Sequence, residues 1–326
     1  MAMCARRCRA DRRSVGDSKT RYRVVSTRRI AAWLIGAGPE SHRMRIATLP
    51  IESAAEPFYA KDMGYFTKAG LDVDIQTMQT SAAMAAAAAS NAIDIGYSPV
   101  DSMATIHSRK VPVVVIAPAN EYISPSRNAG LALPANSSVH QAKDLNGKII
   151  AVSNLRSLSE NAVRAWMDRN GGDSSTAKFV EIPFPAMQPA LDTGHVDAAW
   201  VAEPFISAAA RNGRVIEYGF DAISTRFLIG AWFTTAQWAS DHHDLVTRFA
   251  AAIHETAVWA NRNPGPSGAV VAKYTKIDPT VLATMTRSRY GEALTAASMQ
   301  PLMDISAKYN GFASFPAQEL LYTGAK

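Results

Sequence analysis

Cysteine is absent from all but the opening of the chain: its two cysteines are Cys4 and Cys8. Beyond them there can be no disulfide, no thiolate nucleophile and no Cys-ligated metal. Long apolar runs are also missing, none approaching the 18 or so residues that a membrane-spanning helix needs. The seven histidines (His42, His107, His140, His195, His242, His243, His254) form no His-Glu-x-x-His and have no carboxylate at ligand spacing. His242-His243 reads as a solvated pair at a helix start and His195 as a turn residue. There is no glycine-rich phosphate loop, no Gly-x-Ser-x-Gly, and no nucleophile–base–orienter set. No metal, cofactor or catalytic residue is therefore expected.

Positive charge is scarce too, despite a net charge of +6 over 326 residues. The first 43 residues hold eleven basic residues against three acidic ones, which leaves 23 basic and 25 acidic residues from Met44 onward. That balance excludes a nucleic-acid partner by charge. The Arg-rich opening lacks the periodic apolar pattern of a DNA-binding helix-turn-helix. It does contain "STRRIAAWLIGAG", a twin-Arg pair before a short apolar stretch. Residues 1–43 thus read either as a degraded export signal or as coding ahead of a start near Met44, disordered in both cases. The first reading makes the protein periplasmic, or exported and membrane-associated; the second leaves it cytoplasmic.

What remains is an alternation of short β-like and helical runs, the pattern of parallel βαβ units in an α/β fold. "MRIATLP", "LDVDIQTMQ", "IDIGYSP" and "VPVVVIAPA" are strands, separated by helices over Ser53–Ala69, "SAAMAAAAASN" and Val100–Arg109. A second series follows: "GKIIAVSN", "SENAVRAWMDRNGG", "AKFVEIPF", "MQPALDTG" and "HVDAAWVAEP". "FLIGAWFTTA" then returns toward the first series, and a helical tail shows three-to-four spacing in "DLVTRFAAAIHETAVWANRN".

Two stretches echo each other. "SNAIDIGYSPVDS" and "TGHVDAAWVAEPF" each place a small-polar turn, an aspartate and a short strand that ends at proline. As a strand, the second sets Asp197 and Glu203 roughly 20 Å apart, too far for a carboxylate dyad. Asp197 is expected to bond backbone groups of its own turn. Glu203, at the strand's carboxyl end, is expected to face a ligand-binding cleft. In open α/β sheets ligands sit outside the carboxyl ends of strands.

"AKDMGYFTKAGLDVDI", "SNAIDIGYS", "KDLNGKIIAV" and "GHVDAAWVAEPF" follow in order over about residues 46–225. In these stretches the chain resembles bacterial ABC-transporter solute-binding proteins of the nitrate/sulfonate/taurine (SsuA/THI5-like, NMT1-type) family. The resemblance implies a type II periplasmic-binding-protein fold, two doubly wound α/β lobes joined by two crossover strands near Asn128–Pro134 and Ser224–Trp232. It also implies a first lobe of residues 44–130 plus 226–326 and a second of 131–225. Such a protein, a monomer, captures a small anion by hinge closure and delivers it to an ABC permease and ATPase. The same fold carries enzymes, a pyrimidine-precursor synthase and menaquinone-pathway-type lyases. The synthase's cysteine cluster has no counterpart here.

The expected pocket follows from strand ends and helix starts. "AVSNLRSLSENAVRAW" ends a strand and opens a helix, so free N–H groups, the helix dipole and hydroxyls converge there. Asn154, Ser157 and Ser159 are candidates, with Arg156 as a partner for an anionic head. Each also fits a plain helix cap with a solvated arginine. On the first lobe the candidates are Ser53, Tyr59, Ser81, Tyr97, Ser98 and Asn120. Ser81 opens its helix where relatives carry glycine, which leaves that backbone less open to a solute. Glu52 or Glu56 could meet an ammonium. Trp232 serves either as cleft floor or as core.

Overall fold

The computed structural model describes residues 43–275 and 277–324. The expectations for residues 1–42 lie outside the described residues.

The chain runs β1 (Met44–Thr48), a short 3-10 turn (Glu52–Ala54), α1 (Glu56–Asp62), α2 (Tyr65–Lys68), β2 (Val73–Thr77), α3 (Ser81–Ala89), β3 (Ile95–Pro99), α4 (Val100–Ser108) and β4 (Val113–Pro118). β5 (Asn120–Ile123) follows, then β6 (Ala129–Leu133), β7 (Ile149–Val152), α5 (Leu158–Arg169), β8 (Lys178–Glu181), α6 (Phe184–Asp192), β9 (Ala198–Ala202), α7 (Phe205–Asn212) and β10 (Arg214–Tyr218). The return is β11 (Arg226–Leu228) and β12 (Gly230–Thr235). The tail holds α8 (Ala236–Asp241), α9 (His243–Arg262), α10 (Pro264–Tyr274), α11 (Pro279–Thr284), β13 (Arg289–Tyr290) and α12 (Ala296–Asn310).

The helix expected over Ser53–Ala69 is broken into three pieces. Ala55 separates the first two, Gly64, with φ of +76°, the last two, and Gly70 at +68° ends the third. Glycine takes this left-handed geometry without the steric cost a Cβ brings.

Two five-stranded sheets form, ordered β2-β1-β3-β12-β4 and β8-β7-β9-β6-β10. Each has one antiparallel strand, β12 or β6, in the same place. A third, three-stranded sheet, β11-β5-β13, carries both chain crossings. The first crossing therefore lies at Asn120–Ile123, ahead of the expected Asn128–Pro134, because Ala129–Leu133 already belongs to the second sheet.

The echoed aspartates lock their sheets in the same way. Asp94 accepts the Arg45 backbone N–H at 2.7 Å and that residue's guanidinium at 2.6 Å. Asp197 accepts the Ile149 N–H at 2.9 Å and pairs with Lys148 at 3.2 Å. The expectation that Asp197 serves its own turn is thus corrected: it clamps the start of the neighbouring strand β7. The sheet-edge N–H ahead of a strand needs an acceptor, and the short aspartate side chain reaches it.

Candidate functional site

Four expected residues of the first lobe converge beyond the ends of β1 and β3. Tyr97 donates its hydroxyl to Asn120 Oδ1 at 2.8 Å, and the Ser53 side chain lies beside that hydroxyl. Trp232 lies opposite Tyr97 in the sheet, rings edge-on at 5.6 Å, and donates its indole N–H to Glu56 Oε2 at 2.9 Å. Glu56 is fully buried and its other oxygen, Oε1, has no partner among the described residues. Burial lifts the Glu56 carboxyl well above the usual range, although the Trp232 bond opposes that. Gly230 keeps the place open, since a Cβ there would lie 2.4 Å from the Tyr97 hydroxyl and 2.5 Å from Asn120 Oδ1.

Tyr59, Ser81 and Ser98 lie apart from this cluster. Tyr59 is wholly buried against Tyr290 and Trp259, and Arg287 donates to its hydroxyl at 3.2 Å. Ser98 points to the other face of β3 from Tyr97 and donates to the Pro99 carbonyl at 3.0 Å. Ser81 is the first residue of α3, which Thr80 caps by accepting the Ala83 N–H.

On the second lobe, Asn154, Arg156, Ser157 and Ser159 gather between β7 and α5. Ser157 donates to the Asn154 carbonyl at 2.6 Å and shares a hydrogen bond with Ser159 at 2.9 Å. Asn154 and Arg156 are exposed, and Arg156 takes a φ of +56°. Its N–H donates to Glu160, whose other oxygen pairs with Arg164 at 2.8 Å.

Glu203, after β9, joins the second lobe to the tail. Its Oε1 accepts the Ser207 hydroxyl at 2.7 Å and the Thr286 N–H at 2.9 Å. The next residue, Arg287, pairs at 2.9 Å with Glu52 in the turn after β1. Glu203 Oε2 and the neighbouring Asn128 Oδ1 are buried without partners among the described residues. One hollow of about 390 Å³ is lined by Tyr65, His254 and Trp259, and another of about 170 Å³ lies beside Arg287 and Tyr290, both of which bond Glu52. Among the described residues no group of three His, Cys, Asp or Glu could hold a metal ion, and no helix is long and apolar enough to cross a membrane.

Glu56, offered by the sequence only as a partner for an ammonium, and Asn128 and Asn161, which it did not single out, each hold buried polar atoms without partners among the described residues. Asn161 lies inside α5, where periodicity gives no sign of a site.

Two α/β sheets of one strand order, joined by two crossover strands and bearing polar groups at their facing strand ends, define a two-lobed binding-protein fold. The NMT1/THI5-like family model matches residues 53–267, and the chain belongs to that family. The taurine-binding periplasmic protein of Escherichia coli K12 is 25% identical over 209 residues, 62% of this chain and 62% of that relative. This match spans less than two thirds of the relative's length. The periplasmic aliphatic sulphonate binding protein SsuA of Escherichia coli superposes with a TM-score of 0.72 at 18% identity, over 89% of this chain and 94% of that one. The alkanesulfonate-binding SsuA of Xanthomonas axonopodis pv. citri, bound to MOPS, gives 0.69 at 15% identity, over 88% and 100%. The nitrate-binding protein NrtA of Synechocystis PCC 6803 gives 0.60 at 16% identity, over 74% and 69%. At these identities the three structures establish the fold alone.

Proposed function

We propose that the protein is a solute-binding protein that captures a small anion, a sulfonate or nitrate-like solute, between its two lobes and delivers it to an ABC importer. The carrying observation is the set of buried polar atoms without partners at the strand ends and in α5: Glu56 Oε1, Asn128 Oδ1, Glu203 Oε2 and the Asn161 amide. Buried polar groups are ordinarily paired, so unpaired ones gathered at the strand ends of a two-lobed fold point to a bound partner. Serine hydroxyls and the N–H groups of α5 suit an anionic head. The unpartnered acceptors suit a donor elsewhere on the solute, as on an amino-sulfonate. In this reading Ser53, Tyr97, Asn120, Ser157, Ser159, Glu203 and Trp232 surround the solute, with Arg156 at the rim. Tyr59, Ser81 and Ser98 act through packing.

The lobes in this reading are residues 44–130 plus 226–326, and 131–225. β12 completing the first sheet and β7 through β10 lying in the second support that division, with β6 spanning its 130/131 boundary. The solute favours closure only by touching both lobes. Relatives named as periplasmic support a periplasmic location, with a monomer meeting a permease and ATPase there.

Calorimetry with taurine, ethanesulfonate and nitrate tests the proposal. At least one is expected to bind and to be recovered chemically unchanged. Ser157→Ala with Ser159→Ala is expected to weaken a sulfonate about tenfold or more. Turnover of the solute, or no binding by any of the three, would overturn the assignment.

A further inference from the structure

Among the described residues three that are not glycine take a left-handed backbone: Asn91, Lys110 and Arg156. Asn91 and Lys110 follow the ends of α3 and α4, where a left-handed residue is an ordinary helix stop. Arg156, with φ of +56°, stands just ahead of α5, where no helix stop is needed. The conformation crowds its Cβ against a backbone oxygen, so it persists only where surrounding bonds hold it.

Two such bonds exist, one on each side of the residue. The Arg156 N–H donates to Glu160 Oε2 at 2.7 Å, and Glu160 is fixed in turn by Arg164 at 2.8 Å. The Arg156 carbonyl accepts from Asn310 Nδ2 at 3.1 Å. Glu160 belongs to the helix that this loop leads into, whereas Asn310 is the last residue of α12, which also packs on α4 beside the first sheet. The Asn310 amide is itself aimed, since the same Nδ2 donates to the hydroxyl of the buried Ser306 at 2.9 Å. The Arg156 guanidinium, by contrast, is exposed and has no partner among the described residues. A backbone held on both sides under an unheld charged head is built to mount that head.

We propose that Asn310 is a positioning residue: through the Arg156 carbonyl it keeps the loop ahead of α5 in its left-handed bend, and so sets the Arg156 guanidinium and the Ser157 hydroxyl where an anionic solute meets them. The proposal rests on reading the strand ends as a solute site. Asn310 itself touches no solute in this account. A change of sign in φ at one residue turns the peptide groups on either side of it. Without the clamp the guanidinium therefore leaves the rim, and Ser157 loses its seat on the Asn154 carbonyl. The clamp comes from the tail of the chain and not from the stretch that builds the second sheet. Anion contact at this loop thus depends on α12 staying docked.

The α- and β-carbon NMR shifts of Arg156 report its φ and ψ, and calorimetry with ethanesulfonate reports binding. Asn310→Ala is expected to move those shifts out of the left-handed range and to weaken ethanesulfonate about threefold to tenfold. Tyr309→Phe removes a neighbouring bond between α12 and α5, from the Tyr309 hydroxyl to Asp168 at 2.7 Å, without touching the loop. It is expected to change neither readout. Arg156→Gly loses the guanidinium and binds more weakly, but its bend carries no Cβ cost, so adding Asn310→Ala is expected to lower its affinity little further. Unmoved Arg156 shifts in Asn310→Ala, an equal effect of Tyr309→Phe, or the same further loss in the Arg156→Gly background would each refute the proposal. The shifts are read without solute. If no sulfonate binds the unaltered chain while Asn310→Ala still unseats Arg156, the functional reading fails and the clamp stands.

Discussion

Glu56 is a carboxyl group sealed under the strand ends of the first sheet, with one oxygen on an indole and the other without a partner among the described residues. An uncompensated carboxylate there is costly, so the folded protein favours the neutral acid. Its pKa is raised by folding, so the stability it contributes is fully present below the unfolded carboxylate range and is lost as pH rises toward its folded value. Glu56→Gln keeps an acceptor for Trp232 and removes the ionisation. Urea unfolding is expected to show the glutamine variant gaining on the unaltered chain between pH 5 and pH 8, by about 1 kcal/mol or more. A gap that stays flat with pH would mean that Glu56 is ionised in a compensated setting. Glu56→Ala should lose about 2–4 kcal/mol at either pH, because it strips the indole of its acceptor and leaves a void.

At the scale of elements, the two sheets are stapled by one device used twice. Asp94, on whose side chain 1% is exposed, holds both the backbone and the guanidinium of Arg45. Asp197 is 35% exposed and meets a lysine that is itself 42% exposed. Burial decides the difference in worth, since exposed ion pairs contribute little. Asp94→Ala is expected to cost about 2–3 kcal/mol and Asp197→Ala about 1 kcal/mol in denaturant unfolding. Equal losses would show that backbone capping, common to both, outweighs the ion pairs. This device could be read in the sequence because the two stretches share a pattern, an aspartate between a turn and a short apolar strand. The strand ends were readable for the same reason, which is how Ser53, Tyr97, Asn120, Trp232 and Glu203 were reached. The broken helix at Gly64 was not, because a lone glycine inside a helical pattern is tolerated as often as it breaks one. Asn161 was hidden more deeply, because no local pattern tells a buried polar residue inside a helix from a solvated one.

Across the whole molecule, Glu203 is the joint at which three parts meet. It belongs to the second sheet, bonds the tail at Thr286, and through Arg287 the chain of contacts reaches Glu52 beside β1. Glu203→Ala removes the acceptor for Thr286 and for Ser207, worth roughly 2–3 kcal/mol in all. Small-angle scattering is expected to give a larger radius of gyration for this variant, recovered in part by saturating solute. An unchanged radius would mean that α12, which packs on both α4 and α5, sets the spacing of the lobes without help from the glutamate.

The place of β12 in the first sheet has a consequence for synthesis. The strand lies between β3 and β4, yet it is made only after every strand of the second sheet has been completed. A chain leaving the ribosome can close its second sheet from one contiguous stretch. Its first sheet must meanwhile wait as two separate pieces with bare edges along β3 and β4. Bare strand edges invite pairing with other chains. The half of the protein translated first is thus the last to be finished, and the nascent chain needs protection there until Thr235 has emerged.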